Sequence, residues 1–218
     1  MNNIKQFVFN SVLEDIMNGV YPLDFVFNEK YLIEKYNVSR SPVRDALIEL
    51  CNEKILRAIP RYGYEIIRIT EKDVRDITQF RLFLEIEAFK STCELYCDEM
   101  TERIVAYNDD SLLFLKKEEP NLRTLWNCNI DFHTMLISFT GNTYAEEALR
   151  KALSTQYRAY TQLYWQKKRL TKKDNTFEDT INEHHILLAN SLRQHNFEEA
   201  IQILKKDICD IPIYFHDK

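Results

Sequence analysis

Val38-Ser39-Arg40-Ser41-Pro42-Val43-Arg44-Asp45-Ala46-Leu47 is the stretch on which the reading of this chain turns. A serine cap followed by proline within the first turn is a strong helix start, because the N–H groups of that turn have no helical partner and proline has none to leave unmet. Ser39 or Ser41 could be the cap. Val43, Ala46, Leu47 and Leu50 then fall at i, i+3, i+4 and i+7, so one side of the helix is apolar. Arg40 and Arg44, four apart, share a different face. One short helix therefore has a packing side and a cationic side.

Working upstream, Ile4, Val8, Val12 and Ile16 recur every four residues and predict a first helix. Asn18-Gly19 stops it, with Gly19 as a left-handed cap. Tyr21-Pro22 opens an extended connection, and Asn28 to Tyr36 fits a second short helix with Tyr31, Leu32 and Tyr36 facing inward. Downstream, Ile55 to Ile59 and Tyr64 to Ile69 are β-rich runs around the turn-forming Pro60-Arg61-Tyr62-Gly63. Three helices followed by a two-stranded hairpin is a winged helix-turn-helix, whose second motif helix enters the major groove of DNA.

After Thr70 only helical periodicity remains. Thr70-Glu71-Lys72-Asp73 reads as a capping box. Helices are expected over about 71–96, 98–116, 121–139, 142–167, 176–194 and 197–214. Glu118-Glu119-Pro120 and Thr140-Gly141-Asn142 are breaks, and Lys167 to Asn175 is a charged loop. The fold class is mainly α: a winged helix-turn-helix over 1–69 and an all-helical domain over 70–218.

The 218 residues suit one or two domains, and 3 glycines and 5 prolines leave little room for irregular chain. With 45% hydrophobic and 29% charged residues the balance is globular. No apolar run reaches the ~20 residues that span a bilayer. The N-terminus lacks a signal-peptide pattern, so a cytoplasmic protein without membrane partners is expected. Cys51, Cys93, Cys97, Cys128 and Cys209 form no C-x-x-C pair and read as reduced, packed thiols. The net charge of −5 disfavours nucleic acid as a partner, but residues 1–70 carry 9 basic and 9 acidic side chains and the excess acid lies beyond them. A neutral domain binds DNA when its cations converge on one face.

The decisive stretch is similar to the V-S-R-x-P-V-R-E-A-L pattern of the GntR family of bacterial transcription regulators. Pro60-Arg61-Tyr62-Gly63 matches the family's P-x-x-G wing tip. Gly19-Val20-Tyr21-Pro22 matches its G-x-Y-P, although Asp24 stands where glycine is common. The rest resembles the FadR branch with its FCD ligand-sensing domain, on Arg81-Leu82-Phe83-Leu84-Glu85 (R-x-x-L-E), Asn129-Ile130-Asp131-Phe132-His133 (D-x-x-F-H) and Gly141-Asn142.

The resemblance implies a DNA contact set of Lys30, Ser39, Arg40, Ser41, Pro42, Arg44, Arg61 and Gly63, with double-stranded operator DNA as the partner of a homodimer. It also implies a divalent-metal site of one Asp and three His, four residues separating the first two. Here that pair is Asn129 and His133. The next His aligns with His185, with neighbouring His184 a substitute, and the last falls on Asp207. Asn replaces Asp and Asp replaces His, yet the formal ligand charge stays at −1. Zn²⁺, Ni²⁺ or Mn²⁺ would suit such a mixed N/O set; the alternative is a polar pocket that holds the effector directly. Asp131, two residues from His133, points elsewhere. Arg81 could bind an effector carboxylate, although an i, i+4 pair with Glu85 is its more ordinary use.

The expected function is effector-controlled operator binding, the effector being an organic, sugar or amino acid, and the protein is not expected to be an enzyme. A regulator of acyl-CoA type with a metal-free pocket is the alternative, and a metal hydrolase built on His133, His185 and Asp207 a distant third. Ile77, Phe80, Leu82, Phe83, Leu84, Ile86 and Phe89 spread beyond one stripe of their helix, so a dimer through that helix is expected.

Overall fold

The computed structural model describes residues 4–117, 122–170 and 177–210. They pack as two units. One comprises 4–70 together with 158–170, the other 71–157 together with 177–210.

In the first unit, α1 (Ile4–Met17), α2 (Glu29–Tyr36) and α3 (Arg40–Asn52) bury their apolar stripes against each other and against a small sheet. Val8, Val12, Leu32, Val43, Ala46, Leu47 and Leu50 have no exposed surface and Ile16 is buried, whereas Ile4, the first member of the stripe expected on α1, is 55% exposed at the helix start. Gly19 ends the α1 region in the left-handed conformation, φ 65°. Asn28 caps α2, its Oδ1 accepting from Tyr31 N at 2.8 Å. Asp15 on α1 accepts from Lys35 Nζ at 2.7 Å and Tyr36 Oη at 2.9 Å, which fastens α2 to α1.

The hairpin is β2 (Leu56–Ile59) and β3 (Gly63–Ile66), antiparallel, with a third strand, β1 (Val26–Phe27), on the other edge of β3. The order β1-β3-β2 thus adds a strand to the expected hairpin. Two residues cannot display a period of two, so β1 is invisible to alternation. Its pairing explains Gly63: at φ 135°, a Cβ there would collide with the carbonyl oxygen of Phe27. At the wing tip Arg61 is held left-handed, φ 69°, which costs a non-glycine residue about 1 kcal/mol.

The second unit is helical throughout: α4 (Glu71–Glu94), α5 (Asp98–Lys117), α6 (Leu122–Ser138), α7 (Thr143–Leu170), α8 (Phe177–Arg193) and α9 (Phe197–Asp210). Its core gathers Phe89, Ile104, Phe132, Leu136, Leu188, Leu192, Leu204 and Ile208 from α4, α5, α6, α8 and α9. Helix α7 does not stop at Lys167 but runs to Leu170, since Lys and Arg are good helix formers and no breaker intervenes. The break at Glu118-Glu119-Pro120, the rest of the charged stretch to Asn175 and the end of the last expected helix lie outside the described residues. Among those described, no helix is long and apolar enough to cross a membrane.

The far half of α7 belongs to the first unit through side chains that meet backbone at the base of the wing. Arg158 donates to Lys54 O at 2.9 Å. Gln162 accepts from Ile69 N and donates to Ile67 O, each at 3.0 Å. Replacing Gln162 by Leu leaves a backbone donor and acceptor unmet in a part-buried place. We expect Gln162→Leu to lower unfolding free energy by about 1–3 kcal/mol in chemical denaturation, with the secondary structure unchanged.

Candidate functional site

Two groups of side chains have chemistry to offer, one exposed and one buried. The exposed group lies on α2, α3 and the wing. Ser39 is the backbone cap of α3 (ψ 167°), but its hydroxyl makes no capping bond, so it stands exposed at the helix start. Arg40, Ser41 and Arg44 are exposed on α3, opposite the buried stripe, and Pro42 is half-buried in the first turn. Arg40 is held by Glu29, Nε to Oε2 at 2.6 Å. Lys30 reaches toward Glu34 at 3.9 Å with its ammonium in solvent. At the wing tip Arg61 is exposed and Gly63 half-buried. The neighbouring Tyr62, 77% exposed, was not singled out by sequence. A large ring so open on a wing is one signal that could have found it. Cationic side chains around an accessible helix N-terminus are what phosphates and guanine edges require.

The buried group is in the helical unit. Asn129 and His133 lie one turn apart on α6, His185 on α8 and Asp207 on α9, and all four are buried. One ligand atom each from His133, His185 and Asp207 can be chosen within 4.8 Å of the others. His133 Nε2 and Asp207 Oδ2 are 2.9 Å apart, yet neither makes an aligned hydrogen bond. His185 Nε2 and both amide atoms of Asn129 are likewise buried without a partner. Each such atom costs about 1–3 kcal/mol, so those gathered at His133, His185 and Asp207 call for something that satisfies them together. Donors on one ion at about 2.1 Å stand ~3–4 Å apart, a spacing this cluster approaches. Two imidazole nitrogens and a carboxylate are donors that fit a divalent cation.

The rings are oriented from behind. His133 Nδ1 lies 2.6 Å from Glu85 Oε2, and Glu85 Oε1 accepts from Arg81 Nε at 2.6 Å. Arg81 also donates through Nη1 to Gln156 Oε1 at 2.9 Å. Arg81, suggested by sequence as an effector contact, is thus fully buried in the Glu85 pair, with Nη2 left unpaired. The His185 ring stacks on Phe132, centroids 3.5 Å apart. His184 is not part of the cluster; it sits 3.5 Å from the other oxygen of Asp207 and 3.5 Å from Asp210. Asp131 is exposed and pairs with Arg150 at 3.2 Å, pointing away as expected. Glu85, Gln156 and Phe132 are the supporting residues that sequence did not assign to the site.

Electrostatics sort the protonation states. Burial works against charge on Glu85, but Arg81 and His133 outweigh it and hold its pKa below the usual range. Burial likewise opposes a proton on His133, and Glu85 outweighs it, so that pKa is raised. At His185 burial dominates and pushes the pKa down to about 3, leaving a neutral ring. At Asp207 burial is outweighed by His133 and His184, and the group stays a carboxylate. A neutral imidazole and an ionised carboxylate are ready ligand forms.

Comparison with known proteins agrees with this division. Residues 4–66 match the profile of bacterial regulatory proteins of the gntR family, and residues 76–208 match the FCD domain. The chain is similar to the HTH-type transcriptional regulator YdhC of Bacillus subtilis, 30% identical over 65% of this chain and 62% of that one. It is also similar to the gluconate operon transcriptional repressor of Bacillus licheniformis, 35% identical over 39% of this chain and 35% of that one. The chain therefore spans less than two thirds of the length of these curated relatives. The solved structure of Escherichia coli McbR/YncC shares the fold, with a TM-score of 0.69 at 16% identity over 99% of this chain and 98% of that one. A winged helix-turn-helix followed by an FCD domain, in this order and over nearly all the described residues, places the chain in the GntR family of bacterial regulatory proteins.

Proposed function

We propose that this chain is a sequence-specific DNA-binding transcriptional regulator, not an enzyme, whose operator affinity is set by a small-molecule effector. The observation that carries the reading is α3, where Arg40, Ser41 and Arg44 stand exposed opposite the buried Val43, Ala46, Leu47 and Leu50. Arg40 and Arg44 would pair with base edges, guanine being the natural partner of a guanidinium fork. Lys30, Ser39, Ser41 and the first turn at Pro42 would meet phosphates, and Arg61 and Gly63 would bring the wing to the minor groove. Arg44→Ala should abolish specific operator binding with fold and assembly intact. A lost bidentate contact costs roughly 1–3 kcal/mol, doubled when two protomers read a pseudo-palindrome. Lys30→Ala should weaken binding evenly across sequences. Fluorescence anisotropy with operator and scrambled DNA tests both, and normal operator affinity in Arg44→Ala would refute the assignment.

For the buried cluster the proposed ligands are Asn129, His133, His185 and Asp207, and the ion Zn²⁺, Ni²⁺ or Mn²⁺. When bound, such an ion supplies a positive charge that attracts a carboxylate effector: an organic, sugar or amino acid. The unpaired Nη2 of Arg81 is a further donor for that carboxylate. Elemental analysis of protein purified without chelator or nickel resin should find close to one divalent ion per chain. His133→Ala should lose the ion and the effector response while effector-free DNA binding persists; retention of both would count against the site.

A homodimer would be made through α4. Phe89 is buried there, Leu82 and Ile86 pack on the core, and Ile77 and Leu84 are half-buried. Phe80 and Phe83 remain 41% and 67% exposed on the opposite side. Two phenylalanines on one helix face are a contact surface waiting for its like. Phe83→Glu should give a folded monomer by light scattering, and a dimer that survives it would move the interface elsewhere.

A further inference from the structure

We propose that Glu85 is a positioning residue for His133: its carboxylate accepts the Nδ1–H hydrogen bond and so directs Nε2, the atom facing Asp207, to a metal ion. The inference rests on reading the buried cluster as a divalent-metal site.

A neutral imidazole has one proton, and the nitrogen that holds it cannot bind a cation. Glu85 Oε2 lies 2.6 Å from Nδ1, a length typical of a charge-assisted hydrogen bond, with both side chains out of solvent. That contact holds the ring by its Nδ1–H and aims Nε2 at the place beside Asp207 where a metal ion would displace its proton. The partner must itself be a carboxylate: a neutral acid would donate to the ring and move its proton to the wrong nitrogen. A carboxyl buried alone takes up a proton. Arg81 prevents this by occupying Oε1 at 2.6 Å, and Gln156 on α7 holds Arg81 in turn at 2.9 Å. Both Glu85 oxygens are then committed, so Glu85 serves the ion through His133 and does not bind it.

Exposure separates this pair from its look-alikes on the same chain. Lys72 and Asp76 have the same i, i+4 spacing at the start of α4, with side chains 74% and 58% exposed. Such a pair does little. The Arg81 and Glu85 side chains are 0% and 1% exposed, and the Glu85 carboxylate reaches across to α6. A pair meant only to steady α4 needs no burial and no imidazole at its far end.

The test uses the full chain stripped of metal, with Zn²⁺ titrated against a chromophoric chelator. Glu85→Gln offers Nδ1 an amide that donates as readily as it accepts, so the ring proton is free to move to Nε2. The Zn²⁺ dissociation constant should rise about ten- to a hundredfold. Arg81→Met with Glu85→Leu removes both charges of the pair at once, so neither is left buried without the other. That double variant should melt close to the wild type when metal-free, yet show a comparable loss of Zn²⁺ affinity. In Zn²⁺-loaded wild type the His133 Nδ1 proton should appear far downfield by NMR and exchange slowly; in the double variant it should be lost. Unchanged Zn²⁺ affinity in the folded double variant, or no such proton in the wild type, overturns the role of Glu85 and leaves the metal site standing. A wild type that binds none of Zn²⁺, Ni²⁺ and Mn²⁺ overturns the metal reading and this inference with it.

Discussion

Charge buried without a partner is the constraint around which the helical unit is arranged. Arg81, Glu85, His133 and Asp207 are all removed from water, and removing one ion from water costs several kcal/mol unless another group compensates. The compensation has a direction. Gln156 meets Arg81, Arg81 meets Glu85, Glu85 meets His133, and the series ends at Nε2 beside Asp207. Each residue behind His133 has a partner in line, with only Arg81 Nη2 and Gln156 Nε2 left over, whereas at the front His133 Nε2, His185 Nε2, Asp207 Oδ2 and both amide atoms of Asn129 have none. A network meant for stability alone would end on matched groups, because a half-satisfied network is worse than an apolar core. The unsatisfied end is where ligand chemistry belongs.

The same division between a closed and an open side recurs on α3 by different means. There the closed side is apolar, with Val43, Ala46, Leu47 and Leu50 shut into the core of the first unit. The open side carries the arginines. Burial of the stripe fixes the rotation of the helix about its axis, and that rotation decides where Arg40 and Arg44 point. Glu29 trims the freedom of Arg40 further. A guanidinium already held in its plane loses less entropy when it meets a planar partner.

Much of this was legible because it is local. The apolar stripes of α1 and α3, the cap and proline at Ser39 and Pro42, and the wing turn are relationships among residues at most a few positions apart, and helical spacing exposes them. The Asn129–His133 pair belongs to the same class, being one turn apart. What escaped is what spans helices or leaves too short a trace. Glu85 and His133 are 48 residues apart, and nothing in their neighbourhoods announces the contact. Gln162 looks like any polar residue of a long helix until its amide meets Ile67 and Ile69. Strand β1 is too short for a pattern. The continuation of α7 through Lys167 was misread because a run of charge resembles a loop, although its residues favour helix.

The paired departures at 129 and 207 are best understood as one change. On the proposed ligand set, and relative to the Asp-and-three-His pattern, the negative ligand would have moved from α6 to α9. Total ligand charge is conserved, so the attraction for a dication is roughly kept, but the electrostatics around it differ. An Asp at 129 would add a further buried carboxylate one turn from His133, whose imidazole already lies between Glu85 and Asp207. With Asn there and Asp at 207, the anionic ligand instead has His184 close to its outer oxygen, at 3.5 Å. The shorter reach of Asp is not an obstacle, since Asp207 Oδ2 comes within 2.9 Å of His133 Nε2. The neutral Asn129, fully buried with both amide atoms unpaired, would then have an oxygen for an ion and an N–H for an effector. A carboxylate at that position could accept but not donate. On the proposed reading, the exchange would give Asn129 the means to touch metal and effector with opposite ends of the same group.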